Sequence, residues 1–446
     1  MFILLFFFES VQTQNALKQV YKTGKKWQNV INSHNGRTVP RMTERNLCSM
    51  KKQLKSLNLL KGIGILMIIM VHNRHFIMKD MSGLRQLINY GQMGCQLFFM
   101  VSGMALCYSW SHLASKYTDL PRTQLTFRQR ISCSGQFILR RYLRLAPGFV
   151  IVLFVNLLLN ILFMDILDHS PGFIINRKPA AILTNLLFIH GFFPDFINNV
   201  FPGGWYIGTT FILYALFPLL ILVFEKLYSI NRHCIVVIPV ILLVLNCFLL
   251  RLIASAAQNE LYPYNNSFLY YFFTNQLPCF SLGILLYFQE KTDFSLRCPL
   301  PVSLTLFVVT CFASIRLYLM PEQNFIYTVI PSLAGFSFYW LAVSFIHIEL
   351  VHVQFANRTC RRIIHIFTDF IASCGSNSYG MYLVHAFISW YGMKDLTYFL
   401  AQCGYEYNDL LLYCVLYLPS VFVIYVLGLY MKLLLDFIDK KLRPSG

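Results

Sequence analysis

Two basic side chains on a single apolar run are the first residues equipped for chemistry. Within Asn58–Phe76, NLLKGIGILMIIMVHNRHF, Lys61 stands near one end, and His72 and His75 flank Asn73 and Arg74 at the other. A run of ~20 residues is long enough to cross a bilayer as a helix. Holding an ionisable group in hydrocarbon costs about 3 kcal/mol, which makes such a group a functional candidate. Lys61 and His72 lie eleven residues apart. At ~3.6 residues per turn this is three turns, so both side chains project from one face, ~16 Å apart along the axis. A groove on that face can hold a long ligand, with its charged end at Lys61 and its reactive end at His72. A neutral imidazole with a pKa near ~6.5 is suited to accept a proton from an attacking hydroxyl. Equally, Lys61 can snorkel to the headgroups along its aliphatic stem while His72 sits at the interface.

Four other stretches carry polar groups where apolar ones are the rule. In FILRRYLRLAP, Phe137–Pro147, three arginines gather just before an apolar run. Arg141 and Arg144 are neighbours on one helical face, suited to forked hydrogen bonds to phosphate, with Arg140 beside them. Anchoring of a span on its inner side, or attraction to anionic lipid, uses the same residues. PGGWYIGTTFILYALFP, Pro202–Pro218, places Trp205 and Thr210 at the entry to a span, where Trp205 with Tyr206 also suits an interfacial belt. GSNSYGMYLVH, Gly375–His385, sets Tyr379, Tyr382 and His385 across two turns, as donors and acceptors toward a ligand or as a self-satisfied core group. GQMGCQLFFMVSGM, Gly91–Met104, is a small-residue seam for helix packing through Gly94, Ser102 and Gly103.

These groups have to be positioned by helices. Of the 446 residues, 57% are hydrophobic and 13% charged, against about 25% charged in soluble domains. The expected fold is all-α, a polytopic membrane bundle. Runs of membrane length recur at about 58–78, 91–111, 145–165, 205–224, 234–254, 268–288, 302–319, 326–347, 377–394 and 411–435, giving about ten spans. The segment 182–193 is too short to span and is expected to be re-entrant. Lysines and arginines concentrate in alternate connections, including Lys116–Arg144, Arg358–Arg362 and Lys432–Arg443, which places both termini in the cytosol. The net charge of +18 is thereby a membrane-topology signal and gives no reason to expect nucleic acid as a partner. Residues 1–56 form a basic, poorly ordered cytosolic tail in this scheme, 57–436 the membrane domain and 437–446 a short basic end with no soluble domain appended. The 13 cysteines include no C-x-x-C pair and the histidines no H-E-x-x-H, so reduced thiols and no metal site are expected.

Taken in order, the five stretches resemble the acyltransferase 3 family of multi-spanning membrane O-acyltransferases, over about Leu57 to Asp436. The family's basic residue, ten residues and histidine are matched by Lys61 and His72, and its arginine pair by Arg141 and Arg144. Val101–Gly103, the spacing Trp205, Tyr214, Phe217 and Pro218, and Ser378–His385 match the remaining motifs. The resemblance implies a bacterial inner-membrane enzyme with no bound cofactor. Acyl-CoA, acetyl-CoA by family frequency, would be co-substrate, and a hydroxyl of a polysaccharide, lipopolysaccharide or other glycan the acceptor. Lys61, Arg140, Arg141 and Arg144 would hold the donor and His72 would be the base. Trp205, Thr210, Tyr379, Tyr382, His385 and His75 would be candidates for acceptor binding or oxyanion stabilisation. Many members carry glutamate where Thr210 stands, and a threonine cannot ionise. Some members carry a fused esterase-like domain, which the matching stretch lacks, so delivery to an external acceptor would be direct or through a partner. A glycan transporter or flippase with a buried proton relay and a polysaccharide polymerase are the alternative polytopic functions.

Overall fold

The computed structural model describes residues 44–73, 87–117, 127–166, 175–256, 265–291, 299–319, 323–347, 358–404 and 410–442. The chain divides into two units, Met1–Lys52 and Gln53–Gly446. Among the described residues every regular element is helical, as the expected all-α class requires. In chain order they are α1 (Glu44–His72), α2 (Gly94–Tyr117), α3 (Phe127–Ile161), α4 (Pro179–Leu186), α5 (Gly204–Ile230), α6 (Ile238–Ala256) and α7 (Asn265–Tyr271). They continue with α8 (Phe273–Lys291), α9 (Leu300–Tyr318), α10 (Gln323–His347), α11 (Arg358–Ser376), α12 (Ser378–Phe387), α13 (Lys394–Gln402) and α14 (Leu410–Leu442).

Seven stretches among the described residues are long and apolar enough to cross a membrane. They fall in α1, α2, α3, α5, α6, α9 and α14. Three further expected spans are also helical but shorter or more polar. α8 carries Asn275, Gln276, Gln289 and Glu290. The apolar part of α10 is Val329–Phe345, and α12 has 10 residues before the chain widens into a π-helical turn at Ile388–Met393. The seven stretches make this an integral membrane protein. Leu158, Phe248, Phe312 and Leu418 project outward, as a lipid-facing surface demands.

Two boundaries differ from expectation. α3 starts at Phe127, so the arginine cluster lies within this helix rather than ahead of it. Residues 358–376, expected as a basic connection, form the amphipathic helix α11. The segment 182–193 is the end of the short helix α4 followed by a 3-10 turn at His190–Phe192.

Small residues set the helix spacings, because lipid offers no hydrophobic drive to bring helices together and backbones must meet for dispersion to act. α1 crosses α2 at Gly64 and Gly94, while Gly103 lies on the Phe280 carbonyl of α8. At the other side of α1, Gly375 of α11 sits on the Asn58 carbonyl and Gly62 on the Ile371 carbonyl. The break between α7 and α8 frees carbonyls that side chains then satisfy. Asn275 Nδ2 donates to Leu269 O (3.2 Å), Gln276 Nε2 to Tyr270 O (2.5 Å) and Thr209 Oγ1 to Tyr271 O (3.0 Å). Such repair is the condition for irregular backbone at membrane depth.

A Cβ at position 375 would overlap the Asn58 carbonyl. Gly375→Leu is therefore expected to part α11 from α1 and cost about 1–3 kcal/mol of stability. A lowered thermal midpoint of the detergent-solubilised protein would register it, and an unchanged midpoint would contradict the close crossing.

Candidate active site

α1 carries Lys61 and His72 on one face as its periodicity requires, and α12 carries Tyr379, Tyr382 and His385 in the same sense. The rings of His72 and His385 lie 4.9 Å apart, tilted by 52°. Trp390, in the π-helical turn after α12, stands 6.4 Å from His72. His385 is fully buried, and its Nδ1 lies 2.5 Å from the Tyr382 carbonyl, one turn back. A carbonyl only accepts, so Nδ1 carries the proton and Nε2 presents a lone pair. That Nε2 is buried without a hydrogen-bond partner among the described residues. Neutral His385 thus offers an acceptor, not an oxyanion donor.

The opposite end of α12 lines a basic cavity of about 500 Å³. Arg140, Arg141, Arg144 and Lys432 line it, with Tyr379 in its wall and Asp436 and Asp439 on α14. Lys61 does not line it but lies within electrostatic reach of Arg144, as does Tyr379. The Arg141 guanidinium rests 5.1 Å from the centre of the Phe137 ring. The cavity end and the histidine end are therefore spanned by α12, with Lys61 of α1 near the arginines through Arg144. Lys61 to His72 covers ~16 Å on α1, and Tyr379 to His385 ~9 Å on α12, at ~1.5 Å per residue.

Tyrosines run between the ends. Tyr379 Oη donates to Leu145 O (2.6 Å), tying α12 to α3 beside the arginines. The Tyr382 ring lies 4.9 Å from both His385 and Tyr206. Its hydroxyl donates to Gly203 O (2.6 Å). Gly203 turns the chain into α5 with φ of 82°, a left-handed conformation that glycine adopts without Cβ strain. Asn198 Oδ1 accepts from Gly203 N (3.0 Å), and His190 Nε2 lies 3.0 Å from Gly204 O.

Trp205 is buried, stacked 4.5 Å from Tyr271, which removes it from an interfacial belt. Thr210 is buried one turn beyond Tyr206 on α5.

The acyltransferase 3 family model, described as an acyltransferase domain, matches residues 54–429. The chain belongs to the acyltransferase 3 family. No curated protein and no solved structure matches it.

In this acyltransferase, His72, His385 and Tyr382 converge, and Arg140, Arg141, Arg144 and Tyr379 share the cavity. Trp205 stands farther off on α5, connected to the histidines through the rings of Tyr206 and Tyr382, and Thr210 lies on the same helix. His75 lies outside the described residues. The sequence alone assigned no site role to Lys432, Asp436, Asp439, Tyr206 or Asn73. Lys432 reads as part of the positive-inside signal of Lys432–Arg443, although one turn separates it from Asp436 on a single helix face.

Tyr382→Phe removes the hydroxyl that satisfies Gly203 O. It is expected to cost about 1 kcal/mol, the net worth of one buried hydrogen bond. A lowered thermal midpoint with the protein still at normal abundance would register the loss. No shift would mean that the hydroxyl does not hold the α5 turn.

Proposed function

We propose that this acyltransferase moves an acyl group, acetyl by family frequency, from cytosolic acyl-CoA to a hydroxyl of a polysaccharide, lipopolysaccharide or other glycan at the inner membrane of a bacterium. The observation that carries the proposal is the pairing, along α12, of a four-cation cavity with a two-histidine end that α1 completes through His72. Phosphates demand the first, because arginine forks match phosphate oxygens. A neutral base out of bulk water fits the second. The pantetheine arm is the long, weakly polar connector such a separation requires.

In the reaction, an acceptor hydroxyl attacks the thioester carbonyl while His72 takes its proton. The tetrahedral intermediate then collapses, breaking the carbon–sulfur bond, and the CoA thiolate recovers the proton from the imidazolium. The lone pair of His385 Nε2 accepts a hydrogen bond from a second hydroxyl of the acceptor and orients it. Arg141 and Arg144 hold the donor phosphates, with Arg140 at the rim, and Lys61 adds its charge behind Arg144. Trp205 and Thr210 shape the acceptor side through Tyr206. Tyr379 and Tyr382 keep α12 in register with α3 and α5.

His72→Ala is expected to abolish glycan acylation with the protein inserted at normal abundance, read as loss of the acyl mass from surface glycans. Arg141→Ala is expected to weaken acetyl-CoA binding by about tenfold or more, the worth of a charge-assisted hydrogen bond. Full acylation in the first variant would remove His72 from the chemistry, and unchanged affinity in the second would return Arg141 to anchoring.

A further inference from the structure

Asn73 follows His72 at the point where α1 stops, and it is fully buried. Its side chain is used at both ends. Ser389 Oγ donates to Asn73 Oδ1 (2.9 Å), and Asn73 Nδ2 donates to Ser420 Oγ (2.5 Å). Ser389 lies one turn beyond His385, in the π-helical segment that also carries Trp390. Ser420 lies on α14 and passes the bond on to Tyr417 O (2.7 Å). One amide therefore joins the end of the His72 helix, the segment continuing from His385 and the last long helix.

α14 grips α1 twice more. Tyr417 Oη donates to Leu66 O (3.0 Å) and Tyr413 Oη to Met70 O (3.2 Å). Met70 is among the last four residues of α1, whose carbonyls have no intrahelical partner. The tyrosines fix the axial position of α1, and their hydroxyls are spent on its carbonyls. The Asn73 amide hydrogen-bonds to both sides, since an asparagine presents a donor and an acceptor from one rigid plane. π-helical turns insert an extra residue and recur at functional sites; here that insertion turns Ser389 toward Asn73.

We propose that Asn73 is the positioning residue of this site, setting the approach of His72 to His385 through its bridge from Ser389 to Ser420. The proposal rests on the acyl-transfer function above. Without the bridge, the end of α1 and the turn after α12 are free to part, and a base displaced by ~1 Å loses about 100-fold in rate. Donor binding at the far end of the helices is untouched.

The test uses membranes of the native cells carrying the full chain, given radiolabelled acetyl-CoA, with label counted in the glycan fraction. Asn73→Ala is expected to lower the maximal transfer rate about 10- to 100-fold, at unchanged half-saturating acetyl-CoA concentration and unchanged abundance. Ser389→Ala is expected to lose less. Combining the two is expected to do no more than Asn73→Ala alone, because both remove the same bond. A full rate in Asn73→Ala, a raised half-saturating concentration at full maximal rate, or effects that multiply would each overturn the proposal. Should Asn73→Ala fail to accumulate, Ser389→Ala decides: a reduced maximal rate at normal abundance supports the bridge and a full rate overturns it. His72→Ala runs alongside. A full rate there overturns the acyl-transfer function itself, whereas loss there with a full rate in Asn73→Ala overturns only the positioning role.

Discussion

The 4.9 Å contact between the His72 and His385 rings is the constraint around which the helices are arranged. A polar ring among apolar helices is costly unless its nitrogens are satisfied or kept for a ligand. His385 meets half of this demand within its own helix, by turning Nδ1 onto the Tyr382 carbonyl. The other nitrogen remains available, and the surrounding packing keeps it so. α1 is brought close by glycine crossings to α2 and α11, and it is gripped from α14 by Tyr413 and Tyr417. α12 is tied to α3 and α5 by Tyr379 and Tyr382. Each tie uses a hydroxyl on a backbone carbonyl, a bond that adds no charge to the bilayer core.

The basic cavity obeys the opposite logic. Four cations are tolerated together only where water or a polyanion reaches them, and the exposure of Arg140 and Arg144 meets that condition. Asp436 and Asp439 on the facing helix offset part of the repulsion. Two different environments, a histidine pair with His385 fully buried and a solvent-reaching cluster of arginines, are thus placed at the two ends of α12. A substrate with a polyanionic head, a flexible arm and a reactive carbonyl at its tip has the polarity profile of this path.

Much of this was legible in the residues. Helical periodicity alone put Lys61 and His72 on one face, and burial cost marked them as unusual. The all-helical membrane class followed from composition. Helix limits did not follow as well. Arg128, Gln129 and Arg130 lower the hydropathy ahead of α3, yet arginine and glutamine are good helix formers and the helix continues through them to Phe127. Arg358–Arg362 read as a connection, although Ile363, Ile364, Phe367, Phe370 and Ile371 already mark one face of a helix. Asn73 was beyond reach for a different reason. Its partners lie 316 and 347 residues away, and no local pattern encodes a contact at that distance. Trp205 and Tyr206 illustrate the same limit, since an aromatic pair at a span's edge looks alike whether it meets headgroups or a buried tyrosine cluster.

The proposed function requires the arginine cavity to receive the donor whose reactive end lies at the histidines. The most direct measurement is photocrosslinking of the membrane-embedded protein with an acetyl-CoA analogue bearing a photoreactive adenine, followed by peptide mass spectrometry. Label is predicted on residues 137–147 and 432–439, and excess acetyl-CoA should displace it. Label absent from both segments, or confined to residues 190–203 at the α5 turn, would contradict the account.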